Sequence, residues 1–125
     1  MLNLYPDKKV FSEHNIDEFV VPPKPTDTRG FIYIVLDSVF PNEFKIGVTI
    51  NVKKRLQQYN SDKPYKTATM HQVSRMFADS VTTEKQILEA LYKRTPPTTF
   101  SKEWFPIEFL NEAVYLVEEA EKEFL

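Results

Sequence analysis

Four side chains invite a chemical reading by their types and positions: Tyr33, Lys45, Arg55 and Glu84. A guanidinium can grip phosphate oxygens with two parallel donors and offset added negative charge. A carboxylate is a hard oxygen ligand. Mg²⁺ is commonly held by one or two of them, with waters and substrate oxygens completing its shell. An ammonium supplies a compact positive charge, and a phenol both donates and accepts hydrogen bonds. Each residue also has a plain structural reading. Lys45 suits a strand edge, and Arg55 can lay its stem over a core with its head in water. Glu84 suits the first turn of a helix, and Tyr33 suits sheet packing. Their joint appearance with Gly30 and Gly47, the only two glycines of the chain, points to one site.

The elements that must position them can be read from local pattern. Gly30 to Leu36 is rich in β-branched and aromatic residues and reads as a strand. Phe44 to Thr49 reads as a second strand, with Phe44, Ile46 and Val48 on one face and Lys45, Gly47 and Thr49 on the other. Pairing them as a hairpin sets Ile34 opposite Phe44, Ile32 opposite Ile46 and Tyr33 opposite Lys45. Asn51 is a good N-cap for a helix from Val52 to about Tyr59. Its inner stripe is Val52, Leu56 and Tyr59, with Arg55 on the same side. Thr67 to Ala78 has strand character, with Val73, Arg75 and Phe77 on one face. A second helix is expected from Thr82 to Arg94, stopped by Pro96 and Pro97. Ile87, Leu88 and Leu91 form its buried stripe, and Glu84 is aimed along that side. Glu103-Trp104-Phe105 is a short extended piece. The last helix runs from Glu108 to Phe124 with an apolar stripe of Phe109, Leu110, Ala113, Val114, Val117, Ala120 and Phe124. Strands and helices without βαβ alternation give an α+β domain with a small antiparallel sheet.

Residues 1–29 read as an N-terminal extension. Ser12, Asn15 and Asp17 allow a short helix, and Val20 to Pro25 reads as an extended, Pro-rich linker. Residues 30–125 form the domain. A chain of 125 residues suits a single core. The absence of cysteine excludes a disulfide scaffold, a thiolate zinc site and a cysteine nucleophile. No apolar run approaches the ~18 residues of a membrane span, and the N-terminus lacks a secretory pattern, so an intracellular location is expected. The formal net charge of −2 averages unlike segments. Lys45 to Met76 carries seven basic residues against Asp62 alone, and Ser101 to Leu125 carries seven glutamates against two lysines. Such a division gives the molecule's field a direction.

Taken in order, Gly30-Phe31-Ile32-Tyr33, Lys45-Ile46-Gly47-Val48-Thr49, Arg55-Leu56 with Tyr59-Asn60, Glu84, and Glu103-Trp104-Phe105 resemble the GIY-YIG nuclease superfamily. The likeness is to its phage and viral branch, whose second motif reads K-I-G. The resemblance implies a three-stranded antiparallel sheet flanked by helices, and metal-dependent hydrolysis of phosphodiester bonds in DNA. It implies Tyr33, Lys45, Arg55 and Glu84 as catalytic residues. Tyr33 would orient or deprotonate the attacking water, Lys45 and Arg55 would stabilise phosphate charge, and Glu84 would bind Mg²⁺ or Mn²⁺. A phenol near its usual pKa is only about 0.1% ionised near pH 7, some 4 kcal/mol uphill, and nearby cations would lower that pKa. Lys53, Lys54, Tyr59, Lys63 and Lys66 are the candidate DNA contacts, which would make affinity salt-dependent. Two positions depart from the usual pattern: Lys45 replaces the second tyrosine, and Tyr59 stands where histidine is common. His14 and His71 receive no role. The alternative is a non-catalytic nucleic-acid-binding module on the same fold. A third is an interaction protein that docks a partner through its last helix. The oligomeric state stays open between monomer and homodimer.

Overall fold

The computed structural model of the chain describes residues 10–22, 28–95 and 104–123. Parts of four expectations lie outside these residues: the prolines of the linker at 23 and 25, the Pro96-Pro97 stop, Glu103, and Phe124.

Four antiparallel strands form one sheet in the order β3-β1-β2-β4. They are β1 (Gly30–Asp37), β2 (Glu43–Thr49), β3 (Ala68–Phe77) and the short β4 (Trp104–Pro106). The α+β expectation holds, with one strand more than expected. The extended piece around Trp104 pairs with β2, Phe44 facing Phe105 and Lys45 facing Trp104.

Apolar character on both faces of β1 makes it the centre of the sheet. Ile32 and Ile34 point to one side, and Phe31, Tyr33 and Val35 to the other. On the first side lie α2 (Ser80–Tyr92) and α3 (Leu110–Glu123). They enclose Ile32, Ile34, Phe44, Ile46, Phe105 and Phe77 with Ile87, Leu91, Ala113 and Val117. On the second side lie α1 (Val52–Asn60) and the segment before β1. Asn51 caps α1 as its sequence suggests, its Oδ1 accepting the Lys54 N–H at 3.0 Å. Asp79 caps α2, accepting the Thr82 N–H at 3.2 Å, so α2 starts two residues before the expected Thr82.

Two local expectations fail. The β1–β2 register places Tyr33 opposite Gly47, Ile34 opposite Ile46 and Ile32 opposite Val48. It is displaced by two residues from the register read in the sequence. In β3, Val73 and Phe77 do not share a face. Val73 packs in the core on the α1 side, Phe77 in the core on the α2 side. The pairing with β1 slips twice along the strand, between Phe31 and Tyr33 and between Ile34 and Val35. Such bulges reset the alternation of side chains.

The N-terminal segment, expected as an extension, contributes to the core. A 3₁₀ turn spans Glu13–Glu18, where the Ser12 N–H donates to Asn15 Oδ1 at 2.8 Å. Beyond it Phe19 and Val21 are buried against Phe31 and Val52. Backbone bonds fix them there. The Val52 N–H donates to the Phe19 carbonyl at 3.0 Å and the Val21 N–H to the Ile50 carbonyl at 2.7 Å. No helix among the described residues is long and apolar enough to cross a membrane.

Candidate phosphate site on the α1 face

Tyr33 lies at the middle of β1 and is 1% exposed. Its ring rests on the backbone of Gly47, its partner in β2. A Cβ at position 47 would stand 2.5 Å from Tyr33 Cζ and 2.9 Å from Cε2, which no side chain can occupy without displacing the ring. Gly30 answers a similar need, since a Cβ there would meet Ser80 Cβ at 3.0 Å. The second glycine thus makes room for the phenol, and the first for the opening turn of α2.

Above Tyr33 stands Tyr59, near the end of α1. The two hydroxyls are 2.7 Å apart, with either able to donate, and the rings meet edge to face at 6.0 Å. Asn60 anchors this end of the helix. Its Oδ1 accepts the N–H groups of Thr67 (3.1 Å) and Ala68 (2.9 Å), and its Nδ2 donates to the Ala68 carbonyl at 3.1 Å. Asn60 thereby ties α1 to the start of β3 and holds Tyr59 over the sheet. The sequence offered only the Tyr59-Asn60 pair as a motif. The clamp depends on a loop closing over eight residues.

Lys45 Nζ lies 5.6 Å from the centre of the Tyr59 ring, within the range of cation–π attraction. Arg55, one turn before Tyr59, is partly buried. Both cations pull the Tyr33 pKa down, as the sequence suggests. Burial, and then the hydrogen bond and charge of Tyr59, outweigh them and hold the Tyr33 phenol well above its ordinary range. Lys45 and Arg55 therefore do not by themselves bring the phenol pKa below its ordinary value, and with these neighbours Tyr33 keeps its proton across the physiological range.

Tyr33, Lys45, Arg55 and Tyr59 thus come together on the α1 face. Glu84 is carried by α2. It is half-buried and has interactions of its own. The inward residues of α2, Ile87 and Leu91, pack on the Ile32 and Ile34 side of the sheet, opposite Tyr33. The first turn of α2 meets the sheet at Gly30, three positions before Tyr33. Among the described residues there is no cluster of three or more His, Cys, Asp or Glu that could hold a metal ion. A metal here would depend on one carboxylate, with the remaining shell supplied by water and substrate oxygens.

The other basic candidates divide. Lys53 pairs with Asp17 of the N-terminal segment at 2.9 Å. Lys63 pairs with the buried Asp37 at the end of β1, so it ties the chain after α1 to the sheet. Lys54 and Lys66 are exposed.

The fold and this face define a small antiparallel α+β domain in which two phenols, an ammonium and a guanidinium gather beside one strand pair. Residues 30–123 match the T5orf172 domain, and the chain belongs to that family. It is a phage-derived domain associated with nuclease-like proteins. No curated protein and no solved structure matches the chain.

Proposed function

We propose that the chain is a DNA endonuclease of the GIY-YIG type that hydrolyses phosphodiester bonds with the help of Mg²⁺ or Mn²⁺. The observation that carries this reading is the cluster of Tyr33, Tyr59, Lys45 and Arg55 on one face. Two cations beside two phenols suit a phosphate, whose charge they offset while the hydroxyls donate or accept hydrogen bonds. Arg55 and Lys45 bind the phosphate and stabilise the charge added as water attacks. Tyr33, neutral in this setting, orients the water through hydrogen bonds and does not act as a phenolate. Glu84 would hold the metal, which when bound supplies a Lewis acid for the phosphate and a more acidic water.

Full-length protein mixed with plasmid DNA and Mg²⁺ or Mn²⁺ should nick or cut it, and a chelator should stop it. Arg55→Ala should slow cleavage by about 10²- to 10³-fold, the scale of losing one preorganised charge donor. Tyr33→Phe and Glu84→Gln should abolish it with the fold retained. Cleavage that survives Glu84→Gln removes Glu84 as the metal ligand. The second reading, a nucleic-acid-binding module without catalysis, draws on the near-complete burial of Tyr33. It requires salt-sensitive DNA binding with no cleavage in either metal.

A further inference from the structure

The α1 face continues past Lys45 toward β4. Directly opposed residues of an antiparallel pair share a face, with Cβ atoms about 5 Å apart. Trp104 is opposite Lys45, so its indole stands on the same side of the sheet as the ammonium. Phe40, from the turn between β1 and β2, lies against it, ring centres 5.6 Å apart and tilted by 59°. Phe40 is 49% exposed and Trp104 partly so. Neither belongs to either core. The inward residues of α1 cover Phe31, Tyr33, Val35, Met70 and Val73, all on β1 and β3. Among the described residues, the β2–β4 half of the face therefore keeps two aromatic rings beside Lys45.

Aromatic rings next to a cationic track are the arrangement that holds unpaired nucleic acid. The charges follow the backbone while the rings take the faces of the bases. In a duplex those faces are already covered by neighbouring base pairs. Glu43 lies two positions before Lys45, on the same face and opposite Pro106. Its carboxylate repels phosphate, which confines the backbone to the side of Lys45 and Arg55. We propose that Phe40 and Trp104 form a stacking platform for an unpaired nucleobase of the DNA strand whose phosphate lies against Lys45 and Arg55. This rests on the nucleic-acid reading above and narrows the substrate to single-stranded or locally unpaired DNA.

Trp104 is the only tryptophan of the chain, so its fluorescence reports this platform alone. The full-length protein is titrated, without metal, with a single-stranded oligothymidylate and with a duplex of equal length. The single strand should quench Trp104 saturably and the duplex much less. Phe40→Ala, at an exposed site, should lower single-strand affinity by about 5- to 150-fold, the worth of one stacked base, and duplex affinity by less. If the fluorescence stays unmoved while Arg55→Ala still weakens DNA binding, the platform is overturned and the nucleic-acid reading stands. If neither form of DNA binds, both fall.

Discussion

A phenol that is buried and hydrogen-bonded to a second phenol keeps its proton under physiological conditions. This shapes what Tyr33 can do. Its hydroxyl can share a hydrogen bond with Tyr59 and direct a third partner, but burial opposes its ionisation more strongly than Lys45 and Arg55 favour it. The geometry depends on position 47. A methyl group there would press on the Tyr33 ring, 2.5 Å from its Cζ, and the strand pairing leaves the backbone little room to retreat. Gly47→Ala should therefore destabilise the protein by about 1–3 kcal/mol, the scale of overpacking a filled core. The clash is with one ring, so the same substitution should cost less in a Tyr33→Ala background. Urea unfolding of the four proteins measures this coupling. Equal costs in both backgrounds would show that Gly47 serves something other than Tyr33.

Among the elements, the faces of β1 and β2 were legible in the sequence, while their register and the faces of β3 were not. The alternation of Phe44, Lys45, Ile46, Gly47 and Val48 places Lys45 and Gly47 on one side whatever the pairing. A slip of two residues preserves every face, so the pattern alone cannot distinguish Tyr33 opposite Lys45 from Tyr33 opposite Gly47. The turn decides it. The Phe40 N–H donates to the Asp37 carbonyl at 2.8 Å and the Val39 N–H to Asp37 Oδ1 at 3.0 Å. Asn51 capped α1 as read because a cap is local. The site's cations were found because they break a local apolar pattern, but the Tyr33–Tyr59 bond and the Asn60 clamp join distant segments. The bulge in β3 was hidden for the same reason. Ser74 Oγ accepts the Ile32 N–H at 2.9 Å. Glu121, 2% exposed and far along the chain, accepts the Arg75 N–H at 2.8 Å. Asp37 joins elements too, through Lys63. Burial raises its pKa, while Lys63, the Val39 N–H and Thr67 lower it further, leaving it below the ordinary carboxylate value. A depressed folded pKa gives stability that is present above the unfolded pKa and is lost as pH falls through the folded one. Asp37→Asn should cost about 1–3 kcal/mol at neutral pH. The gap to the wild type should shrink as urea midpoints are taken from about pH 7 down to about pH 3. A gap that stays constant over that range would mean the carboxylate charge is not what stabilises the turn.

At the scale of the whole molecule, the sheet separates two unlike charge fields, and among the described residues its two faces are covered unequally. The glutamate-rich α3 packs on the Ile32 side, and α1 with Lys53, Lys54 and Arg55 on the Tyr33 side. Phosphate is thus favoured on the α1 face, though Asp17 takes up part of Lys53 there. Two helices cover the first side. Among the described residues, the second has the nine residues of α1 and the segment before β1. The T5orf172 match begins at residue 30, which by itself would leave that segment outside the domain. The packing argues otherwise, because Phe19 and Val21 are each 3% exposed and shield Phe31 and Val52. Burying two such side chains contributes about 3–6 kcal/mol, a large share of a small domain's total stability. A chain shortened to begin at Thr28 should therefore unfold at a much lower urea concentration. Phe19→Ala in the full chain should cost about 3–5 kcal/mol. Unfolding midpoints unchanged by both would make residues 10–22 a passive attachment. A loss in both would extend the folded unit beyond the family boundary, with the N-terminal segment as part of the floor on which the Tyr33 site stands.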